Sequence, residues 1–307
     1  MTFSVTILGS SSALPTPSRF STAQALNVLE RFFLIDCGEG TQIQLRRYKI
    51  KMLRINHIFI SHLHGDHFLG IFGLILTMNM LGRKTPLHIY GPFKLKSLID
   101  AFLQTMDRGI EYEIVFNALH YNGKEVIFED DKVIVESFPL RHRVPTCGFL
   151  FKEKPRLQNL KGDVIKELNI PIKNLQSIKE GADYTNEDGK VYTNKHLTNN
   201  PPKPRSYAFV SDTAKKPAII PIIHGVDLLY HEATYADKDK KRAKDNGHST
   251  AKQAAEIAKQ AQVKKLVLGH FSNRYKTLDI LQNEARNEFK NTELAIDGKV
   301  FNIELEK

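Results

Sequence analysis

Hydrophobic and polar positions along the chain fall into two periods that trade places. Period-two or short apolar runs predict strands at residues 2–8, 31–36, 56–61, 87–90, 132–138, 206–211, 227–230 and 265–268. Helical spacing intervenes. Residues 42–48 follow the turn Asp36-Cys37-Gly38-Glu39-Gly40-Thr41-Gln42, and residues 93–106 place Leu95, Leu98, Ile99, Phe102 and Leu103 as one apolar face. Residues 68–81 are apolar on all faces, which predicts a buried helix with Met78 and Met80 as core filler. An Ala-rich stretch at 250–262 predicts a further helix, with Ser249 placed to cap it and His248 just before it. Alternating strands and helices predict an α/β fold, and two β-rich halves are consistent with two sheet layers.

Residues 152–205 break the pattern. They hold eleven Lys or Arg against seven Asp or Glu, few aromatics, and Pro155, Pro171, Pro201, Pro202 and Pro204. The composition predicts a protruding insertion with short helical pieces at 164–168 and 174–178; a disordered linker is the alternative. The remainder of the 307 residues reads as one domain interrupted by this arm.

The formal net charge of +10 favours a polyanionic partner over a small neutral substrate. Five basic residues between Lys238 and Lys244 form either a solvated face or a phosphate-contacting loop. Cys37 and Cys147 are too few and too isolated for a disulfide framework or a thiolate metal site, and read as small buried apolar residues. No run reaches the length of a membrane span, and the start lacks the basic and apolar regions of a secretory signal, so a cytoplasmic location is expected.

The candidate chemistry centres on His62-Leu63-His64-Gly65-Asp66-His67, which leaves the strand at 56–61. Imidazoles at i and i+2 on such a loop can converge on one ion while Asp66 and His67 turn towards a second. His142, Asp212, His231 and His270 also follow predicted strands, so all can lie along one sheet edge. The implied arrangement is His62, His64 and His142 on one ion, Asp66, His67 and His270 on the other, and Asp212 bridging. Nitrogen and oxygen donors without thiolate suit two Zn²⁺, or else Mn²⁺ or Fe²⁺. Asp66 is the candidate general base, and Glu232 with His248 can form a carboxylate-oriented imidazole that protonates a leaving group.

The histidine-rich hexamer resembles the signature of the metallo-β-lactamase superfamily. Six further stretches narrow the resemblance to ribonuclease Z, the tRNA 3′-processing endonuclease, in its short form: Leu8-Gly9-Ser10-Ser11-Ser12-Ala13-Leu14-Pro15-Thr16-Pro17, the turn at 36–42, Ser211-Asp212-Thr213, His231-Glu232-Ala233-Thr234, His248-Ser249-Thr250 and Gly269-His270-Phe271-Ser272. The resemblance implies an αββα sandwich, cleavage of precursor tRNA after the discriminator nucleotide to leave a 3′-hydroxyl, and a homodimer. It carries the family's metal ligands onto the seven residues above, its catalytic aspartate onto Asp66 and its proton-donor motif onto Glu232 and His248. The insertion falls where the family has its flexible tRNA-binding arm. Lys161, Lys166, Lys173 and Lys179 are the candidate phosphate contacts there, with Ser272 and Arg274 as substrate-binding candidates beside the site. Where the family arm commonly has a Gly-Pro pair, this chain reads Asn169-Ile170-Pro171-Ile172-Lys173-Asn174.

Other hydrolases of the superfamily, acting on thioesters, lactones, lactams or small phosphodiesters, share the metal ligands. The basic insertion and the His-Glu-Ala-Thr and His-Ser-Thr motifs argue for a large polyanion instead. A non-catalytic nucleic-acid-binding relative would have lost a ligand, and none is missing.

Overall fold

The computed structural model describes residues 1–306 and divides into two compact units, one of Met1–Glu153 with Arg205–Glu304 and one built on Lys154–Pro204. The larger unit contains two seven-stranded mixed sheets. The first runs in the order Val300–Asn302, Phe3–Gly9, Ala23–Val28, Arg31–Ile35, Ile55–Phe59, Leu87–Gly91, Ile114–Ala118, and its last four strands are parallel. The second runs Thr292–Leu294, Lys265–Gly269, Leu228–Glu232, Ser206–Val210, Cys147–Glu153, Val133–Pro139, Glu125–Glu129. Its first four strands are parallel and the rest antiparallel.

Aromatic side chains fill the space between the sheets. Phe33 and Phe59 from one sheet meet Phe151 from the other, with ring centroids 5.4 and 5.5 Å apart. Burying each such ring stabilises the fold by about 1.5–3 kcal/mol. Helices Thr41–Arg47, Gly70–Met80 and Phe93–Gln104 cover the outer face of the first sheet, and Ala251–Gln260 and Asp279–Glu288 that of the second. The layers therefore run helix, sheet, sheet, helix, the αββα sandwich expected from the resemblance. Among the described residues no helix is long and apolar enough to cross a membrane. Cys37 and Cys147 are free, buried thiols, and burial pushes Cys37 up to about 12.

Three expectations change. The stretch at 68–81 is a turn of helix, Gly65–Phe68, followed by Gly70–Met80, and it buries one face only: Ile71, Leu74, Ile75 and Met78 are inside while Met80 is 77% exposed. An outer-layer helix has solvent on its far side, so uniform apolarity does not mean burial all round. It lies so close to the turn at 37–38 that a Cβ on Gly70 would stand 2.0 Å from the Gly38 carbonyl oxygen. At the Ala-rich helix the cap is Thr250, not Ser249. Thr250 Oγ1 accepts from the Gln253 amide at 3.2 Å and its own amide donates to Gln253 Oε1 at 3.0 Å, a capping box, while Ser249 Oγ donates to the Thr213 carbonyl at 2.7 Å.

The third change concerns the insertion. Residues 154–204 form three helices, Gly162–Glu167, Ile172–Lys179 and Asn194–Leu197, and two short strand pairs around Ile170, Ile178, Tyr184 and Leu197, so the segment is folded rather than a linker. Asn169 takes the left-handed conformation, φ +49°, just past the first helix, a position Asn tolerates better than other non-glycine residues. Lys152 belongs to the strand Cys147–Glu153, and Arg205 is buried in the larger unit, which moves the boundary inward from 152–205. Arg205 donates to Glu153 Oε1 at 2.6 Å and to the Ile303 carbonyl at 2.7 Å. Glu153→Ala leaves that guanidinium buried without its carboxylate; denaturant titration is expected to show a loss of about 3–5 kcal/mol.

Candidate metal centre

The carboxyl ends of neighbouring strands deliver every residue of the site. The strand Ile55–Phe59 leads into Ser61, His62 and His64, and the helical turn Gly65–Phe68 carries Asp66 and His67. Arg31–Ile35 ends at Asp36, Val133–Pro139 at the loop of His142, Ser206–Val210 at Asp212, and Lys265–Gly269 at His270. Asp36 and His270 both leave their strands in the left-handed region, φ +53° and +58°. Such strained exits persist where surrounding contacts enforce them and are concentrated at functional sites.

Two donor groups result. His62 Nε2 and His142 Nε2 lie 3.0 and 3.2 Å from His64 Nδ1. In the other, His270 Nε2 is 3.2 Å from Asp66 Oδ2 and 3.3 Å from His67 Nε2. Asp212 stands between them. Its Oδ2 is 3.6 and 3.7 Å from the Nε2 atoms of His62 and His142, and its Oδ1 is 3.3 and 3.5 Å from those of His270 and His67.

Contacts at the far nitrogens set the tautomers. His142 Nδ1 donates to the Gly247 carbonyl at 2.7 Å, and His67 Nδ1 donates to Asp36 Oδ2 at 2.7 Å. Thr234 Oγ1 gives its proton to Glu232 Oε2, so His270 Nδ1 is the donor to Thr234 at 2.9 Å. Ser61 Oγ, which donates to Asp36, accepts in turn from His62 Nδ1 at 3.0 Å. The inward Nε2 atoms are left as lone-pair donors. Asp212 Oδ1 is buried and accepts no hydrogen bond. A cluster of converging lone pairs around an orphaned carboxylate oxygen fits a divalent cation.

The electrostatics agree with that fit. Burial alone would lower His67, but Asp66, Asp212 and Asp36 raise it well above its ordinary value. Burial and then the neighbouring His67 hold His62 well below the imidazole range. Burial would raise Asp66, but the neighbouring His67 and His270 hold it well below the usual carboxylate range. Three carboxylates thus draw positive charge into one buried place.

His248 approaches the same centre but differs from the ligand candidates. It lies near Asp212 and His270, yet its Nδ1 donates to Glu232 Oε1 at 2.9 Å. Burial would lower His248; Glu232 overrides it and raises the imidazole to about 9, so the proton occupies the nitrogen that faces the carboxylate. Burial would raise Glu232, and His248 with the amides of Thr213, Thr234 and Ser249 brings it below the usual carboxylate range. His231 is not part of the centre. It is fully buried within the strand Leu228–Glu232, donates through Nδ1 to the Glu232 carbonyl at 2.7 Å, and its Nε2 has no partner.

A cavity of about 560 Å³ opens over the donors, lined among others by Ser12, Pro15, Glu39, Arg143 and His248. Ser272 and Arg274 do not line it. Ser272 is buried and accepts from Arg274 Nε at 3.3 Å, while the guanidinium lies over the Tyr235 ring and beside Asp239. Of the insertion lysines, Lys166 and Lys173 are exposed, and Lys161 Nζ donates to the carbonyls of Lys195 and His196 at 3.1 Å. Sequence reasoning missed the supporting roles of Asp36, Ser61, Thr234 and Gly247. Asp36 and Thr234 stood in the motifs quoted, but only the folded turn shows which imidazole each one holds. Asp36→Asn replaces an acceptor by a group that can present N–H to His67, and competition against a chelator is expected to show a roughly 10–100-fold loss of metal affinity.

Comparison with known proteins places these features in a family. A family profile described as anti-Pycsar protein Apyc1 matches residues 3–155. A protein of Phocaeicola vulgatus named ribonuclease Z is 49% identical over 98% of this chain and 98% of its own. Among solved structures, the short form of human tRNase Z is similar with TM-score 0.71 and 28% identity, covering 98% of this chain and 99% of that one. The metallo-β-lactamase fold protein YhfI from Bacillus subtilis, 18% identical with TM-score 0.70 over 98% of this chain and 100% of its own, shares the fold. With nearly half its residues identical over almost the full length, and a divalent-metal centre built from the motifs of that fold, the chain belongs to the ribonuclease Z family.

Proposed function

We propose that this endoribonuclease of tRNA 3′-end processing cuts precursor tRNA just after the discriminator nucleotide and leaves a 3′-hydroxyl. The observation that carries the reading is Asp212, whose two carboxylate oxygens face separate histidine groups. His62, His64 and His142 with Oδ2 would hold one Zn²⁺, and Asp66, His67 and His270 with Oδ1 a second; Mn²⁺ or Fe²⁺ would suit the same donors. Such ions would supply a lowered pKa to the attacking water and stabilise charge on the attacked phosphoryl group.

The chain's own residues then divide the proton work. Asp66, ionised at any working pH, accepts the proton of the attacking water. Glu232 fixes His248 through Nδ1, which leaves Nε2–H to protonate the departing 3′-oxygen. The folded unit at 154–204, with Lys161, Lys166, Lys173 and Lys179, serves as the tRNA-binding arm of a homodimer, as the family resemblance implies, and the enzyme works in the cytoplasm.

The test is to map the product end of a precursor tRNA with a 3′ trailer. A single cut after the discriminator supports the reading; hydrolysis of small phosphodiesters or thioesters with an uncut precursor would sink it. Asp66→Ala and chelator treatment are each expected to abolish the cut. His248→Ala lowers kcat by about 10²–10⁴-fold. The acid form of His248 is present below its raised pKa and lost as pH rises through about 9, so wild-type kcat declines above that pH. In Glu232→Gln the decline moves to lower pH, towards the ordinary imidazole value.

A further inference from the structure

The basic stretch at 238–244 has no part in the chemistry above. It folds into the turn Asp237–Asp239 and the helix Lys240–Asn246, which buries Ala243 and leaves Lys240, Lys241 and Lys244 exposed. These three lysines line a second cavity, about 630 Å³, together with Arg141 and Arg143 from the loop of His142 and with Lys215. Lys215 is paired with Glu256 at 2.5 Å, and Arg143 donates to the neutral Asp245 carbonyl and Asn246 Oδ1. Arg141, Lys240, Lys241 and Lys244 form no ion pair among the described residues, and Asp245 is the one carboxylate in the lining. Uncompensated cations around a concave surface suit a run of phosphates.

This cavity and the one over the donors share His142, Arg143 and His248, so His248 stands at their boundary. The cavity over the donors carries Glu39, Asp66 and Asp212 against Arg143, whereas the charge beyond His248 is strongly positive. Resting on the function proposed above, we propose that the second cavity holds backbone phosphates of the retained strand, on the 5′ side of the cut. The bond chemistry supplies the direction. Water oxygen bonds to phosphorus, the bond from phosphorus to the retained 3′-oxygen breaks with its electron pair going to that oxygen, and His248 supplies the proton. The trailer departs with a 5′-phosphate. In an in-line displacement the leaving oxygen lies opposite the attacking one. Attack comes from the side of Asp66, the proton acceptor, so the last retained nucleotide lies on the side of His248, the proton donor, and the strand behind it continues into the basic cavity.

Two RNA probes separate the strands: a tRNA ending at the discriminator with a 3′-hydroxyl, and a trailer oligonucleotide with a 5′-phosphate. Binding of each to the metal-loaded enzyme is measured across a salt series for wild type and for Lys240→Ala/Lys241→Ala/Lys244→Ala. The triple variant is expected to bind the tRNA about tenfold or more weakly, with a salt slope shallower by about 3, while trailer affinity stays within twofold. Lys49→Ala/Lys51→Ala, just before the strand Ile55–Phe59 and so at the end opposite its exit to the donor loop, controls for loss of general charge and leaves both affinities within twofold. Weakened trailer binding with unchanged tRNA binding would assign the cavity to the other strand and overturn the proposal, as would equal loss for both probes or no loss for either. The product tRNA needs no cleavage to be bound, so a wild type that binds it but leaves precursor uncut refutes the catalytic reading and not the cavity assignment.

Discussion

Everything in the site depends on one buried carboxylate held between two groups of imidazoles. Asp212 has 2% of its surface exposed and sends one oxygen to each group. A carboxylate in that position is costly unless positive charge meets it. In the chain itself the demand shows at His67, which Asp66, Asp212 and Asp36 raise well above its ordinary value. Two divalent ions would satisfy the same demand while using the inward lone pairs of the histidines. The outer contacts at Asp36, Ser61, Thr234 and Gly247 make sense only if those lone pairs must point inward, since each one fixes a proton on the far nitrogen.

The sandwich supplies this geometry by aligning strand exits. The parallel strands of each sheet end on the same edge, so loops far apart in sequence, such as those of His67 and His270, arrive within hydrogen-bonding distance of each other. The aromatic layer between the sheets fixes their relative placement, and close packing there leaves little freedom to open the donor groups. Glu232 belongs to the same edge but does different work. Five hydrogen bonds from Thr213, Thr234, Ser249 and His248 lock it as an anion, and its remaining effect is to keep a proton on His248.

Much of this was legible in the sequence, and unevenly. The strands, the layered α/β class and the convergence of His62, His64, Asp66, His67, His142, Asp212 and His270 follow from period-two runs that each end in a metal-binding residue type. The position of His231 did not follow, because a histidine inside the last turn of a strand and one just beyond it look alike in a sequence. The cap moved from Ser249 to Thr250 for a similar reason: both are good caps, and only backbone conformation decides between neighbours. The helix at 70–80 was apolar on every side, so its pattern carried no information about which face met solvent. The insertion's basic composition hid a small apolar core of Ile170, Ile178, Tyr184 and Leu197, which are dispersed too widely to show a period.

The most direct test of the account is anomalous diffraction at the zinc edge from crystals of the metal-loaded protein. Two peaks of comparable height about 3.5–4 Å apart, one on each side of Asp212, are the predicted result. A single peak, or a peak bound to His248 in place of His62 or His67, would contradict the claim that Asp212 is the shared ligand of two ions and that His248 is kept free to carry a proton.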